Sequence, residues 1–139
     1  MKSVIVKTSA RLHLGFYNFL NENTAYGSIG IAIEEPHILI KVSKADKFRV
    51  INETTIPIDD VVNNVMSKLS INREELKIEL RCENAYPRHT GLGSTTQLNL
   101  AIGMAILKFL DKSMSVQELA VKLDRGRDSG IGIAAFQYG

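Results

Sequence analysis

The sequence predicts one domain that contains both β-strands and α-helices, and three observations support this. Its 139 residues are 45% hydrophobic and 23% charged, a balance typical of a single globular domain. Apolar residues recur at every second position up to about residue 51, which predicts strands. Three later segments have the apolar spacing of helices. A chain of this length can build its core without disulfides or a structural metal.

The predicted strands come first along the chain. Apolar residues alternate over 4–6, 29–33, 38–42 and 48–50. The clearest half-buried strand covers 76–82, where apolar and charged residues alternate without a break. Its apolar face includes Cys82, the single cysteine of the sequence. One thiol cannot form an internal bridge, so Cys82 is interpreted as an inert core thiol in a reducing compartment.

Three helices are predicted after the first strands. From Ile58 to Leu69, apolar residues repeat at three- and four-residue steps, so we expect one buried face that covers one side of the sheet. Residues 95–110 are apolar on nearly every side, which predicts a central, buried helix. A shorter helix is predicted over 116–123.

Charge and histidine spacing exclude several classes of partner. The 17 basic and 15 acidic residues give a net charge of +2, too small to predict binding to nucleic acid or to an anionic membrane. The most apolar stretch, 98–110, is too short to span a bilayer, and we expect a soluble, cytoplasmic protein. His13, His37 and His89 share no metal-ligand spacing, so a histidine metal site is not predicted.

The strongest local motif is a glycine-rich turn between a predicted strand and a predicted helix, with the sequence Gly91-Leu92-Gly93-Ser94-Thr95-Thr96-Gln97. Ser94 and Gln97 have the spacing of a capping box. Free amides at a helix start, beside glycines that allow close approach, predict a phosphate or pyrophosphate site. The alternative is that Ser94 only caps the helix and the glycines only form a turn. The motif lacks the Gly-Lys-Ser/Thr ending of a Walker A loop.

Arginines and histidines elsewhere are further candidates. Arg125 and Arg127 offer two guanidinium forks to a phosphate, or else belong to a solvated turn with neighbouring aspartates. Arg11 and His13 share one side of a strand-like run. They either line a pocket or form the polar outer face of that strand. His89 is either an acid–base group or an ordinary exposed loop residue.

Three motifs in order along the chain give a family resemblance. Residues 87–96, a proline followed by Gly-Leu-Gly-Ser and a helix, resemble the phosphate-binding motif of the GHMP small-molecule kinases. With 9–15 and 125–133, the chain resembles one branch of that family, the beta-ribofuranosylaminobenzene 5′-phosphate synthases. The resemblance implies an α+β domain, with a mainly antiparallel sheet backed by helices. It also implies that 1–139 is a single N-terminal domain, which a C-terminal domain normally follows. The expected partner of this domain is that C-terminal domain or a second copy of the chain.

The resemblance implies a reaction of phosphoribosyl pyrophosphate with 4-aminobenzoate or 4-hydroxybenzoate, which releases CO2 and pyrophosphate in methanopterin biosynthesis. Mg²⁺ is expected to accompany the pyrophosphate, with the Thr95 hydroxyl as a ligand. Catalytic roles are implied for Arg11, His13 and His89. Phosphate binding is implied for two sets of residues, the helix start and the arginine turn: Gly91, Gly93, Ser94, Thr95, Thr96, Arg125, Gly126, Arg127 and Gly130.

The sequence also departs from the family pattern. Asn18 stands where family members often carry an acid, and Ala25-Tyr26 stands near an expected basic residue. The stretch 129–131 lacks the acid that several GHMP kinases use as catalytic base, although Asp128 is adjacent. ATP-dependent phosphorylation of a small molecule is therefore the second hypothesis. A non-catalytic phosphate-binding module is the third.

Overall fold

The computed structural model describes residues 3–18, 26–87, 94–123 and 136, with the backbone alone for 9, 11–18, 26–34 and 94. Within these ranges the chain forms four strands and three α-helices. The strands are β1 (Ser3–Asn18), β2 (Tyr26–Lys44), β3 (Arg49–Asn52) and β4 (Ile78–Asn84). The helices are α1 (Asp59–Lys68), α2 (Ser94–Phe109) and α3 (Val116–Lys122).

The four strands form one mixed sheet in the order β1-β2-β4-β3. The β1–β2 and β2–β4 pairs are antiparallel, and β3 lies parallel to β4. Parallel neighbours need a crossover connection, and α1 provides it between β3 and β4. The α+β class and the mainly antiparallel sheet are therefore confirmed.

The two apolar runs at 29–33 and 38–42 belong to one long strand, β2, and not to two. Its pairing with β1 jumps from Ser9↔His37 to Ala10↔Ile33, so 34–36 stand outside that ladder. Pro36 has no backbone N–H to donate to a ladder, which suits it to this bulge. The Glu35–Pro36 peptide bond is cis.

Helix α2 forms the centre of the core. Every residue from 97 to 107 is buried, as its apolar pattern predicts. The helix packs on β1 and β2 on one side and contacts α1 and α3 on others. A helix that is apolar on all sides needs such partners around it, since any uncovered side would expose apolar surface to water.

The buried face predicted for α1 is present and is formed by Val61, Val62, Val65 and Met66. The helix contacts α2. Its buried residues also belong to one core cluster with Ile78, Leu80 and Cys82, the inward residues of β4.

The strand predicted over 76–82 begins two residues later, at Ile78. Residues Arg73–Glu75 form a single 3₁₀ turn before it, and the side chain of Asn72 caps this turn by accepting a hydrogen bond from the Glu74 N–H at 3.0 Å. Leu76 is nevertheless buried, at 6% exposure. The apolar pattern therefore identified the buried residues correctly. It also included Leu76 and Lys77, which precede the strand.

Gly103 provides a test of the contact between α2 and α3. A Cβ atom at this position would lie 3.1 Å from Leu119 Cδ1 and 3.3 Å from Leu119 Cδ2, closer than ordinary van der Waals contact. Gly103→Val is expected to lower the free energy of unfolding by about 1–3 kcal/mol because it overpacks this contact. Urea denaturation measures the change. Lys108→Val, at an exposed position of the same helix, is the control, and an equal loss in both variants would contradict the prediction.

Cys82 provides a test of the core beneath β4. The residue is fully buried, and this burial raises the pKa of its thiol to about 11. The interpretation as a core thiol is consistent with this environment. At about pH 8 the folded chain is expected to react slowly with a disulfide reagent. The reagent cannot reach the buried thiol, and at this pH little of the thiol is ionised to the reactive thiolate. The same chain in denaturant should react quickly, and rapid stoichiometric labelling without denaturant would show the prediction to be wrong.

Candidate functional site

The start of α2 is the part of the proposed phosphate site that the structure describes. The helix begins at Ser94, and Thr95 and Thr96 are half-buried in its first turn. The N–H groups of these three residues have no acceptor within the helix, since an acceptor would have to precede the helix start. They lie at the positive end of the helix dipole. The first turn can therefore offer several aligned donors to an anion.

Arg11 and His13 lie on β1, the strand on which α2 packs. Their backbone partners in β2 are Ala32 and Gly30. Asn18 and Tyr26, where the sequence departs from the family pattern, pair with each other at the far end of the same ladder. The sheet thus carries these candidates on the two strands beneath α2.

A buried hydrogen bond joins β1 to the first turn of α2. The Thr8 hydroxyl donates to Gln97 Oε1, and the two residues are 3% and 0% exposed. Sequence reasoning assigned Gln97 to a capping box and did not find Thr8. A signal was nevertheless present: Thr8 continues the alternation of Val4 and Val6, which places a polar residue on the inward face of the strand.

A second buried polar residue lies two positions further along α2. Asn99 is 2% exposed, and its Nδ2 donates to the Thr95 carbonyl oxygen at 2.8 Å. Asn64 of α1 donates from its Nδ2 to Asn99 Oδ1 at 3.4 Å. The beginning of α2 is therefore connected by polar contacts to β1 on one side and to α1 on another.

Several predicted site residues lie outside the described residues: His89, Gly91, Gly93, Arg125, Gly126, Arg127 and Gly130. Their roles stay predictions. Within the described ranges, no group of three or more His, Cys, Asp or Glu side chains could hold a metal ion. The same part of the chain contains no helix that is long and apolar enough to cross a membrane.

A mixed sheet covered by a central helix, with a glycine-rich sequence directly before that helix, is the arrangement that the resemblance to the small-molecule kinases implies. Residues 55–139 match the family model described as GHMP kinases N terminal domain. The chain therefore belongs to the GHMP kinase family.

Curated relatives extend this similarity over nearly the whole chain. A protein of Methanocaldococcus jannaschii is 36% identical over 149 aligned residues, which cover 98% of this chain and 45% of that protein. A protein of Archaeoglobus fulgidus is 30% identical, over 96% of this chain and 42% of its own length. Both are named beta-ribofuranosylphenol 5′-phosphate synthase. The chain spans less than half the length of these relatives.

Solved structures show the same fold at low identity. Streptococcus pneumoniae phosphomevalonate kinase superposes with a TM-score of 0.68 at 14% identity, covering 97% of this chain and 46% of that one. Mevalonate kinase from Methanococcus jannaschii gives a TM-score of 0.66 at 12% identity, covering 98% and 51%. These likenesses establish the architecture and no more than that.

The opposite face of the sheet carries a charged groove of about 420 Å³, lined by Ser3, Lys41, Ser43, Glu79, Arg81 and Glu83. Arg49 Nε donates to Glu79 Oε1 at 2.9 Å, and Arg81 Nη2 donates to Glu79 Oε2 at 3.3 Å. Arg81 also pairs with Glu53. Because the two arginines are already bound to carboxylates, the groove does not offer them freely to a phosphate.

Glu79 should make the stability of the chain sensitive to acid. Hydrogen bonds from Arg49 and Arg81 hold the pKa of its carboxyl below the ordinary value of 4.5. A lowered folded-state pKa stabilises the fold above the unfolded pKa, and this contribution is lost as pH falls through the folded pKa. Glu79→Gln is expected to lower the thermal midpoint at pH 7 and to flatten its decline below about pH 4.5. Glu83→Gln, exposed on the same strand, is the control, and identical acid profiles for Glu79→Gln and the unaltered chain would contradict the prediction.

Proposed function

We propose that this chain forms the pyrophosphate-binding part of a synthase that joins phosphoribosyl pyrophosphate to a benzoate ring, releasing CO2 and pyrophosphate. The observation that carries the proposal is the similarity of 98% of the chain to a relative named beta-ribofuranosylphenol 5′-phosphate synthase. That name describes a ribose attached to a phenol, so it favours 4-hydroxybenzoate over 4-aminobenzoate as the ring substrate. Such a product belongs to methanopterin biosynthesis.

The start of α2 suits the leaving group of this reaction. As the bond between ribose C1 and pyrophosphate breaks, its electron pair goes to the pyrophosphate oxygen and negative charge builds there. The N–H groups of Ser94, Thr95 and Thr96 are fixed donors for this charge, and prearranged donors stabilise a transition state without reorganisation. In the proposal Gly91 and Gly93 allow the backbone to approach the phosphates.

Magnesium is part of the same proposal. Hydroxyl and phosphate oxygens are suitable ligands for this hard cation, and the half-buried Thr95 in the first turn of α2 fits that donor set. Bound Mg²⁺ would neutralise charge on the departing pyrophosphate. The arginines would act elsewhere on the substrates: Arg125 and Arg127 would bind the ribose 5-phosphate or the benzoate carboxylate, and Arg11 with His13 and His89 would line the pocket.

The ring carbon that bears the carboxylate supplies the attacking electron pair in this scheme. A carbon–carbon bond forms between it and ribose C1 as pyrophosphate leaves. The bond from the ring to the carboxylate then breaks, CO2 departs, and the released electron pair restores the aromatic ring. Little proton transfer is needed, so the protein contributes mainly by holding the two substrates together and by stabilising charge.

The second candidate is an ATP-dependent small-molecule kinase. It is favoured by the fold likeness to phosphomevalonate kinase and by the phosphate-binding motif. It is weakened by the sequence at 129–131, where the expected acid is missing. A non-catalytic phosphate-binding module is the remaining hypothesis, and turnover by the chain without any partner would exclude it.

Calorimetric titration tests the proposal directly. With Mg²⁺ present, this chain is expected to bind phosphoribosyl pyrophosphate and not ATP. In this proposal the Ser94 hydroxyl also donates to a phosphate oxygen, so Ser94→Ala, which keeps the N–H, is expected to weaken binding about tenfold. Ser115→Ala is the matched control, since Ser115 accepts a hydrogen bond from the Glu118 N–H at the start of another helix, α3. It should lower stability and leave binding unchanged.

The alternative outcomes are distinct. Saturable binding of ATP alone would favour the kinase over the synthase. Absence of binding by either ligand would contradict the placement of the phosphate site within these residues. Equal weakening by Ser94→Ala and Ser115→Ala would show that the effect of Ser94 reflects helix stability and not ligand contact.

A further inference from the structure

The hydrogen bond between Thr8 and Gln97 is unusual in its surroundings. It joins β1 to α2 within a core cluster that includes Ala10 and Leu98, with Val4 and Val6 packed against that cluster. Burying an amide and a hydroxyl costs free energy that their hydrogen bond only partly returns. An apolar pair of the same size would serve stability at least as well, so stability alone does not account for these two residue types.

What the polar pair adds is direction. Apolar packing is not directional, so it sets the distance between α2 and β1 more firmly than the rotation or axial position of the helix. A hydrogen bond requires a particular distance and angle between its atoms. The bond is therefore suited to fix how far along β1 the helix begins.

The position of Gln97 makes this constraint local to the proposed site. Gln97 directly follows Thr96, the last of the three residues whose N–H groups have no acceptor within the helix. On β1, Arg11 and His13 follow Thr8 by three and five residues. One bond thus ties the element that carries the proposed pyrophosphate donors to the strand that carries Arg11 and His13.

Asn99 supports the same turn from the other side. Its amide donates to the Thr95 carbonyl oxygen, and its own oxygen accepts from Asn64 of α1. The Thr95 peptide is therefore held in orientation by a side chain as well as by the helix. Buried polar networks of this kind favour one arrangement of a core over similar alternatives.

We propose that Thr8 and Gln97 are positioning residues, which hold the first turn of α2 in register with β1 so that its N–H donors keep a fixed position toward a phosphorylated substrate. Neither residue needs to touch the substrate. The inference rests on the proposed function and deepens it, since it explains how a helix start becomes a site of fixed geometry.

Two substitutions at Thr8 test the inference. Thr8→Val keeps the shape of the side chain and removes the hydroxyl donor, whereas Thr8→Ser keeps the donor. Titration with phosphoribosyl pyrophosphate and Mg²⁺ well below the unfolding temperature is expected to show about tenfold weaker binding for Thr8→Val. Binding by Thr8→Ser should stay within about twofold of the unaltered chain. Wild-type affinity in Thr8→Val would overturn the positioning role.

Amide hydrogen exchange provides a measurement that needs no ligand. Thr8→Val is expected to speed exchange at 97–99 while 102–106 stay protected, because only the helix start loses its anchor. A uniform acceleration throughout α2 would indicate a purely structural role and would overturn the inference. If the unaltered chain binds no phosphoribosyl pyrophosphate, the proposed function fails, and the exchange pattern still reports separately on the anchor.

A double variant guards against a folding defect. Thr8→Val with Gln97→Met removes both members of the Thr8–Gln97 hydrogen bond, so neither is left buried without the other. The double variant is expected to fold and still to bind phosphoribosyl pyrophosphate about tenfold more weakly. Wild-type affinity in this variant would show that apolar contact alone sets the helix start, and would overturn the inference.

Discussion

The burial of α2 is the constraint on which the rest of the structure depends. Because the helix is apolar around its whole circumference, the sheet, α1 and α3 must all be arranged to cover it. The first turn of this buried helix also presents the donors of the proposed phosphate site. The same helix therefore serves both the core and the proposed site. Its buried polar residues Gln97 and Asn99 lie near its first turn, next to the proposed donors.

Much of the fold could be predicted from periodicity. Alternation identified the strands, and the continuous apolar character of 95–110 identified a central helix. The packing of α1 on α2 could not be predicted, because an amphipathic pattern shows that a face is buried and not what covers it. The union of two apolar runs into β2 was missed for a related reason: the bulge at 34–36 interrupts the ladder without ending the strand.

The candidate site was predictable only where residue type carries the chemistry. The run from Gly91 to Thr96 indicated a helix start suited to phosphate, and the structure begins α2 at Ser94. The pairing of Thr8 with Gln97 could not be read from the sequence, since the two residues are 89 positions apart and their contact depends on the tertiary fold. In the sequence, a long-range pair of this kind is indicated only by a polar residue at a position that the strand pattern places inward.

The strand order has a consequence for how the chain assembles. β2 and β3 are consecutive in sequence, yet β4 lies between them in the sheet. During synthesis β1 and β2 can pair as an antiparallel unit, whereas β3 gains its neighbour only after α1 and β4 have emerged. The Thr8–Gln97 hydrogen bond joins residues 89 positions apart, so it can form only after all four strands have emerged. The start of α2 is therefore fixed against the sheet later than β1 can pair with β2.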